Sequence, residues 1–233
     1  MPDIKYFMSD KLRKSGNIAG AVQSLNDRLM DYNVLRPVAV LPDFTESGTL
    51  PVGTTTIIGN SRPLNPSFVG MDIGCGYQLF AMDINPKSEF LNDYPAQLVF
   101  DKTHNDIETY DDKSYKIRKG TSSLQPGELF IIPSNAADAA YLVRGREGLA
   151  DTYYTINHGC GRKYTRTQMY TRLRKTNFEY MFKGVALNVS YKQMIEEAPV
   201  GYKDIQDVLA SLEEFKIAEI VAKLKPVGVI VER

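Results

Sequence analysis

The chain has 233 residues, of which 28 are Lys or Arg and 28 are Asp or Glu, so its formal net charge is zero; it holds only two histidines and two cysteines. A chain of this length buries about 70% of its unfolded surface and needs neither a disulfide framework nor a structural metal to hold a core. With 43% hydrophobic and 24% charged residues, it reads as an ordinary globular protein, which excludes disorder and collagen-like repeats and disfavours indiscriminate binding to nucleic acid.

Met1 to Gly16 mixes Asp3, Lys5, Asp10, Lys11, Arg13 and Lys14 without an apolar core and does not read as a secretory signal. Ile18, Val22, Leu25 and Leu29 then recur at helical spacing and predict an amphipathic helix over Asn17 to Tyr32. Apolar runs bounded by Pro, Gly, Asn or Asp predict strands at Pro37 to Leu41, Thr54 to Ile58, Tyr77 to Ile84 and Ala96 to Phe100. Further strands are expected at Ser114 to Arg118, Glu128 to Ile132 and Val185 to Tyr191, and helices at Thr165 to Lys175 and Asp204 to Glu214. Ile217 to Leu224 and Val227 to Val231 are apolar and partly β-branched. No run reaches the roughly 18 apolar residues of a membrane span, and no repeat or linker interrupts the chain. The economical fold is one compact α+β domain over residues 1–233, mixed sheets flanked by helices. Cys75 and Cys160 are too few for a disulfide framework and suggest a reducing cytoplasm.

Special residues cluster at two places. In Val69-Gly70-Met71-Asp72-Ile73-Gly74-Cys75-Gly76-Tyr77, the glycines allow a tight backbone path that turns a carboxylate and a thiolate towards one point. Such a pair suits a borderline metal such as zinc or manganese, and the alternative is a glycine turn around a small buried cysteine. In Asn157-His158-Gly159-Cys160-Gly161-Arg162, a histidine sits on a glycine-flanked turn. Seven basic residues against one acid follow between Arg162 and Lys183, interleaved with Tyr164, Tyr170, Phe178, Tyr180 and Phe182. Arginines pair with phosphate oxygens and aromatics stack on unpaired bases; the alternative is a solvated cationic helix face whose aromatics fill the core. His104 and Asp43 both follow predicted strands, where a ligand or catalytic group is well supported and where capping or an Asx turn is the plainer role.

Taken together and in this order, these stretches resemble the RtcB family of RNA ligases. Leu41-Pro42-Asp43 is similar to the family's Met-Pro-Asp, Val69 to Gly76 to its Asp-x-x-Cys-Gly loop, and Phe100 to Asn105 to its Asp-x-x-His-Asn segment. Arg118-Lys119-Gly120-Thr121, Ile132 to Tyr141, Gly145-Arg146-Glu147-Gly148, Asn157 to Arg166, Glu196 to Asp204 and Lys225 to Val229 continue the series, so that the resemblance runs from about Ala21 to the C-terminus. It implies a ligase that joins an RNA 3′-phosphate or 2′,3′-cyclic phosphate to a 5′-hydroxyl end, using GTP and one or two Mn2+ ions through a GMP-histidine intermediate. It further implies that His158 is the guanylylated residue and that Asp72, Cys75 and His104 are metal ligands. Asn105, Pro133, Ser134, Asn135, Ala136, Gly159, Cys160, Gly161 and Tyr202 fall on nucleotide contacts. Arg162, Arg166, Arg172 and Arg174 would hold RNA, with Asp43 in support.

The chain also departs from the family. Residues 1–20 read as an N-terminal extension, and the family's central block, with a Gly-Asn-His-Phe-type motif and a further metal-binding histidine, has only Asn85 to Ala96 in its place. Thr45 and Ile117 stand where the family often has histidines, and Val231 where its C-terminal lysine meets the nucleotide. A partner chain that supplies the missing block is one expectation. Alternative activities are a metal-dependent phosphate hydrolase or nucleotidyl transferase with a reduced site, and a non-catalytic RNA-binding relative.

Overall fold

The computed structural model describes residues 1–14, 18–82 and 96–231. Its first elements are β1 (Ile4–Tyr6), α1 (Asp10–Arg13), α2 (Ile18–Leu29), β2 (Val38–Thr45), β3 (Val52–Gly59), β4 (Gly76–Met82) and β5 (Ala96–Thr103). Then come β6 (Asn105–Asp111), β7 (Ser114–Lys119), β8 (Thr121–Ser123), β9 (Leu129–Ile132), β10 (Ala140–Gly145) and β11 (Thr155–Asn157). The chain ends with α3 (Arg166–Leu173), β12 (Ala186–Leu187), α4 (Ile205–Glu214), β13 (Ala218–Leu224) and β14 (Gly228–Val229).

The content is α+β, as the sequence predicts. A five-stranded sheet runs β1-β2-β3-β7-β6, parallel at β1-β2 and antiparallel elsewhere. β13-β10-β9 form a second antiparallel sheet, while β8-β11, β4-β5 and β12-β14 are two-stranded. Nearly every residue of β2 and β3 is buried, the pattern of strands covered on both faces. α2 lays Ala21, Leu25 and Leu29 inward and α4 lays Val208, Leu209 and Leu212, and both pack on β2. The N-terminal residues pack against the rest of the fold: β1 pairs with β2, and Phe7, Met8 and Leu12 lie in the main core. A smaller apolar cluster gathers Met169, Leu173, Phe178, Phe182, Met194, Ile195 and Ala198 under α3.

Some expected elements changed. β6 is not among the expected strands, yet its acids stand across from bases of β7. Asp106 faces Arg118 and Glu108 faces Lys116 in register, and ion pairs at 2.9 and 2.8 Å join them. Such cross-strand pairs let a charged segment form a strand. The strand expected over Val185 to Tyr191 shrinks to β12, because Ser190 and Gln193 form a capping box that starts a 3-10 helix over Tyr191–Glu197. The same device, Thr165 with Gln168, starts α3 where a helix was expected. Of the strand expected over Tyr77 to Ile84, the last two positions lie outside the described residues. No helix among the described residues is long and apolar enough to cross a membrane.

Candidate functional site

The site grows from an irregularity in the central sheet. Val40 pairs with Thr54 and Thr45 with Val52, so Leu41 to Phe44 on β2 stand opposite Gly53 alone on β3. Pro42 has no N–H to give the ladder, which favours such a bulge. The bulge carries the Asp43 carboxylate into the interior, where it is fully buried. Only glycine suits position 53: its φ is +80°, and a Cβ there would collide with Asp43 Oδ1 and lie 2.8 Å from the Phe44 nitrogen.

His158 meets this carboxylate from the turn after β11. Its Nδ1 lies 2.7 Å from Asp43 Oδ2 and 2.9 Å from the Gly120 carbonyl. Both neighbours are acceptors, so Nδ1 carries the hydrogen and the lone pair of the neutral ring falls on Nε2. Burial disfavours the imidazolium, but the hydrogen bond and negative charge of Asp43, helped by the Gly120 carbonyl, raise the His158 pKa above its ordinary value. The same field favours a ring that becomes cationic by bonding at Nε2.

Gly120 links this pair to the other cluster. Asn105 accepts from the Gly120 N–H through Oδ1 at 2.9 Å and donates through Nδ2 to Asp72 Oδ2 at 2.8 Å. Lys119 Nζ donates to Asp72 Oδ1 at 2.9 Å and to the Val69 carbonyl at 2.7 Å. Burial would raise the Asp72 pKa, but the hydrogen bond and charge of Lys119 outweigh it and hold the carboxyl below its usual range. His104 is buried between Tyr77 and His158, with ring centroids at 5.0 and 4.9 Å. Burial first, and then the charge of His158, depress its pKa to about 4, so at neutral pH His104 is an uncharged imidazole.

The donors present decide whether a metal fits this cluster. His104 Nδ1 is buried without a hydrogen-bond partner, which leaves one nitrogen donor open. Cys75 is exposed and free, and both Asp72 oxygens are engaged by Lys119 and Asn105. Among the described residues, no three His, Cys, Asp or Glu side chains stand together as a group that could hold an ion. The residues as placed do not fit a metal, and the chemistry below runs through none.

A cleft of about 560 Å³ opens beside His158, large enough for a nucleotide-sized ligand. Pro133 to Ala136, Gly159 to Arg162 and Tyr202 line it with His158, whereas Asn105, also expected to contact the nucleotide, is not among the lining residues. Several of these side chains are already engaged. Asn135 Oδ1 accepts from the Ala137 and Asp138 N–H groups, and Cys160 turns its thiol to the Ser134 carbonyl at 2.8 Å. Burial pushes the Cys160 pKa up to about 12, so it is a small apolar filler and not a nucleophile. The Ser134 hydroxyl, by contrast, is buried without a partner. Tyr202 donates to Glu197, and burial together with Glu197 pushes its pKa above the ordinary phenol value.

Of the arginines that sequence reasoning grouped, Arg162, Arg166 and Arg172 have different surroundings in the structure. Arg162 donates to Glu197 at 2.7 Å and to the Glu196 carbonyl at 2.9 Å, and its guanidinium lies 4.8 Å from the Tyr202 ring centroid. It braces the cleft wall. Arg166 is 69% exposed and lies within 3.7 Å of Glu196, and Arg172 stacks on Tyr164 at 4.1 Å. Phe178 and Phe182 are core residues, whereas Tyr170 and Tyr180 are exposed. Sequence reasoning passed over Lys119, Glu197 and the Gly120 carbonyl, whose only signal was their place inside or beside the quoted motifs.

The model of the tRNA-splicing ligase RtcB family matches residues 86–232, more than half of the chain. The chain belongs to the RtcB family. A tRNA-splicing ligase RtcB of Thermococcus kodakarensis is 30% identical over 162 residues, which cover 59% of this chain and 33% of that protein. One of Pyrococcus furiosus is 29% identical over 161 residues, covering 59% and 17%, and one of Methanococcus maripaludis is 34% identical over 109 residues, covering 45% and 22%. The chain thus spans a third or less of the length of these RtcB relatives. His104, Asn105, the 133–136 loop, His158 and Tyr202 fall within the family match, and Asp43, Asp72 and Cys75 precede it.

Proposed function

We propose that this RtcB member is an RNA end-joining enzyme that takes GTP into the His158 cleft and forms a GMP-histidine intermediate. The observation that carries the reading is the Nδ1 contact of His158 with both Asp43 and Gly120, which leaves a nucleophilic Nε2 on a nucleotide-sized cleft. Nε2 attacks the α-phosphorus of GTP; an N–P bond forms, the bond to the β-phosphate oxygen breaks, and pyrophosphate leaves with the electron pair. Asp43 offsets the positive charge that the ring acquires. An oxygen of an RNA 3′-phosphate then attacks the same phosphorus and restores the imidazole. A 5′-hydroxyl next attacks the activated 3′-phosphate, and GMP departs.

In this reading the glycine turn at Gly159 and Gly161 and the Pro133 to Ala136 loop receive the phosphates, with the Ser134 hydroxyl as an unspent donor. Tyr202, fixed by Glu197 and Arg162, stands against the base. Arg166, Arg172 and Arg174 steer the RNA backbone with the exposed Tyr170. The whole chain works as a single domain in the cytoplasm, and a partner chain that supplies the family's missing central block is part of the same proposal. The test is incubation with GTP and a divalent ion, Mn2+ first, followed by intact mass. A covalent, acid-labile GMP that is absent in His158→Ala supports the reading, and its absence with every divalent ion removes it. Manganese titration decides separately on Asp72, Cys75 and His104: binding lost in Cys75→Ala supports them as ligands, and no binding dismisses them.

A second reading draws on the engagement of Asp72 by Lys119 and on there being no three-donor group among the described residues. There the chain is a non-catalytic RNA-binding relative. No adduct, combined with salt-dependent RNA binding that survives His158→Ala, would favour it; phosphate release from GTP or RNA without joining would instead mark a hydrolase.

A further inference from the structure

Lys203 follows the cleft tyrosine and is almost fully buried. Its ammonium donates to the Phe44 carbonyl at 2.6 Å and to the Pro42 carbonyl at 3.2 Å, the residues on either side of Asp43. Its backbone N–H donates to the Gly161 carbonyl at 3.0 Å, in the turn that follows His158. That turn presses on the same bulge: Gly161 has φ +75°, and a Cβ on it would lie 2.5 Å from the Asp43 carbonyl oxygen. One residue therefore ties the strand of the acid to the turn of the histidine. Asp43 Oδ1 is buried without a hydrogen-bond partner, and the Lys203 ammonium interacts electrostatically with this carboxylate.

We propose that Lys203 is a positioning residue for the His158 nucleophile, holding the Pro42 to Phe44 bulge so that Asp43 meets Nδ1. Its kinetic consequence rests on the guanylylation reading above; its structural consequence does not. Stability alone gives a poor reason for this lysine. Burial depresses its pKa to about 8, against an ordinary 10.5, so the charged form is held at a cost that an apolar side chain of similar volume would avoid.

The test uses the whole chain and its two imidazoles, observed by nitrogen NMR and assigned with His104→Gln. The wild type should show a hydrogen on Nδ1 of His158 with a downfield proton resonance. In Lys203→Met that resonance should move towards the position it takes in Asp43→Asn, where the charged acceptor is lost, and Lys203→Arg should restore it. Guanylylation at saturating GTP should fall about tenfold or more in Lys203→Met and recover in Lys203→Arg. If Lys203→Met does not fold, Lys203→Gln, which keeps one donor, is read on the same resonance. A folded Met or Gln variant with the wild-type resonance overturns the proposal, whatever the adduct assay gives. A shifted resonance in a protein that forms no adduct even as wild type keeps the positioning role and removes the ligase reading.

Discussion

Replacement of Asp43 by asparagine tests how the histidine is held. The amide keeps the volume and an oxygen for Nδ1 but loses the charge, while the Gly120 carbonyl at 2.9 Å still accepts from the same nitrogen. The ring therefore keeps its tautomer, and the loss is confined to one charge-assisted hydrogen bond in a buried setting. Such a bond is worth roughly 1.5–3 kcal/mol, equivalent to a roughly 10- to 150-fold slower N–P bond-forming step. Where a carboxylate alone fixes the tautomer, its amide replacement costs about 10,000-fold; the second acceptor predicts a much smaller loss here. The assay is single-turnover formation of the acid-labile GMP adduct at saturating GTP, with thermal unfolding to confirm the fold. A loss of less than about threefold would refute a role for the charge, and a loss as complete as that of His158→Ala in a folded protein would refute the role given to Gly120.

Other perturbations separate the remaining parts. Gly53→Ala combines a left-handed φ with collision against Asp43 and should cost about 2 kcal/mol or more, whereas Gly127→Ala, with φ +88° and nothing within 4 Å, should cost only about 1–2 kcal/mol; equal melting temperatures would contradict the packing argument. Arg172→Ala and Arg174→Ala should each lower the salt slope of single-stranded RNA binding by about 0.7 for every phosphate the arginine neutralises, whereas Arg162→Ala should weaken GTP binding with an unchanged slope, because its guanidinium is spent on Glu197 and Tyr202. Lys203 also predicts a pH effect. Its folded pKa of about 8 lies below the ordinary 10.5, so between these values the unfolded chain binds more protons and the Lys203 contribution to stability rises with pH. The cost is fully present below pH 8 and relieved above 10.5, a span of about 3 kcal/mol. The raised pKa values of Cys160 and Tyr202 act oppositely at alkaline pH, so the difference between wild type and Lys203→Met, followed by denaturant unfolding, isolates the effect; a pH-independent difference would contradict it.

Local chemistry made much of the fold legible. The apolar spacing of α2 and α4 and the β-branched residues of β2 and β3 are visible within a few residues of sequence, and so are glycine turns such as Gly159 to Gly161. What stayed hidden depends on distant partners. β6 forms because Arg118 and Lys116 face its acids. Asp43, open to reading as an Asx turn, becomes a buried group through Gly53, Gly161 and Lys203, up to 160 residues away. The cationic stretch divided for the same reason: Arg162 turned inward to Glu197 and Phe182 into the core, and neither destination is encoded near those residues.

The measurement that bears most directly on the central claim is intact-mass analysis of the full chain after incubation with GTP and Mn2+, with peptide mapping of any adduct. The account predicts one covalent GMP on His158, released by acid and slowed but not abolished by Asp43→Asn. An unmodified chain, or a GMP on any other residue, would contradict it.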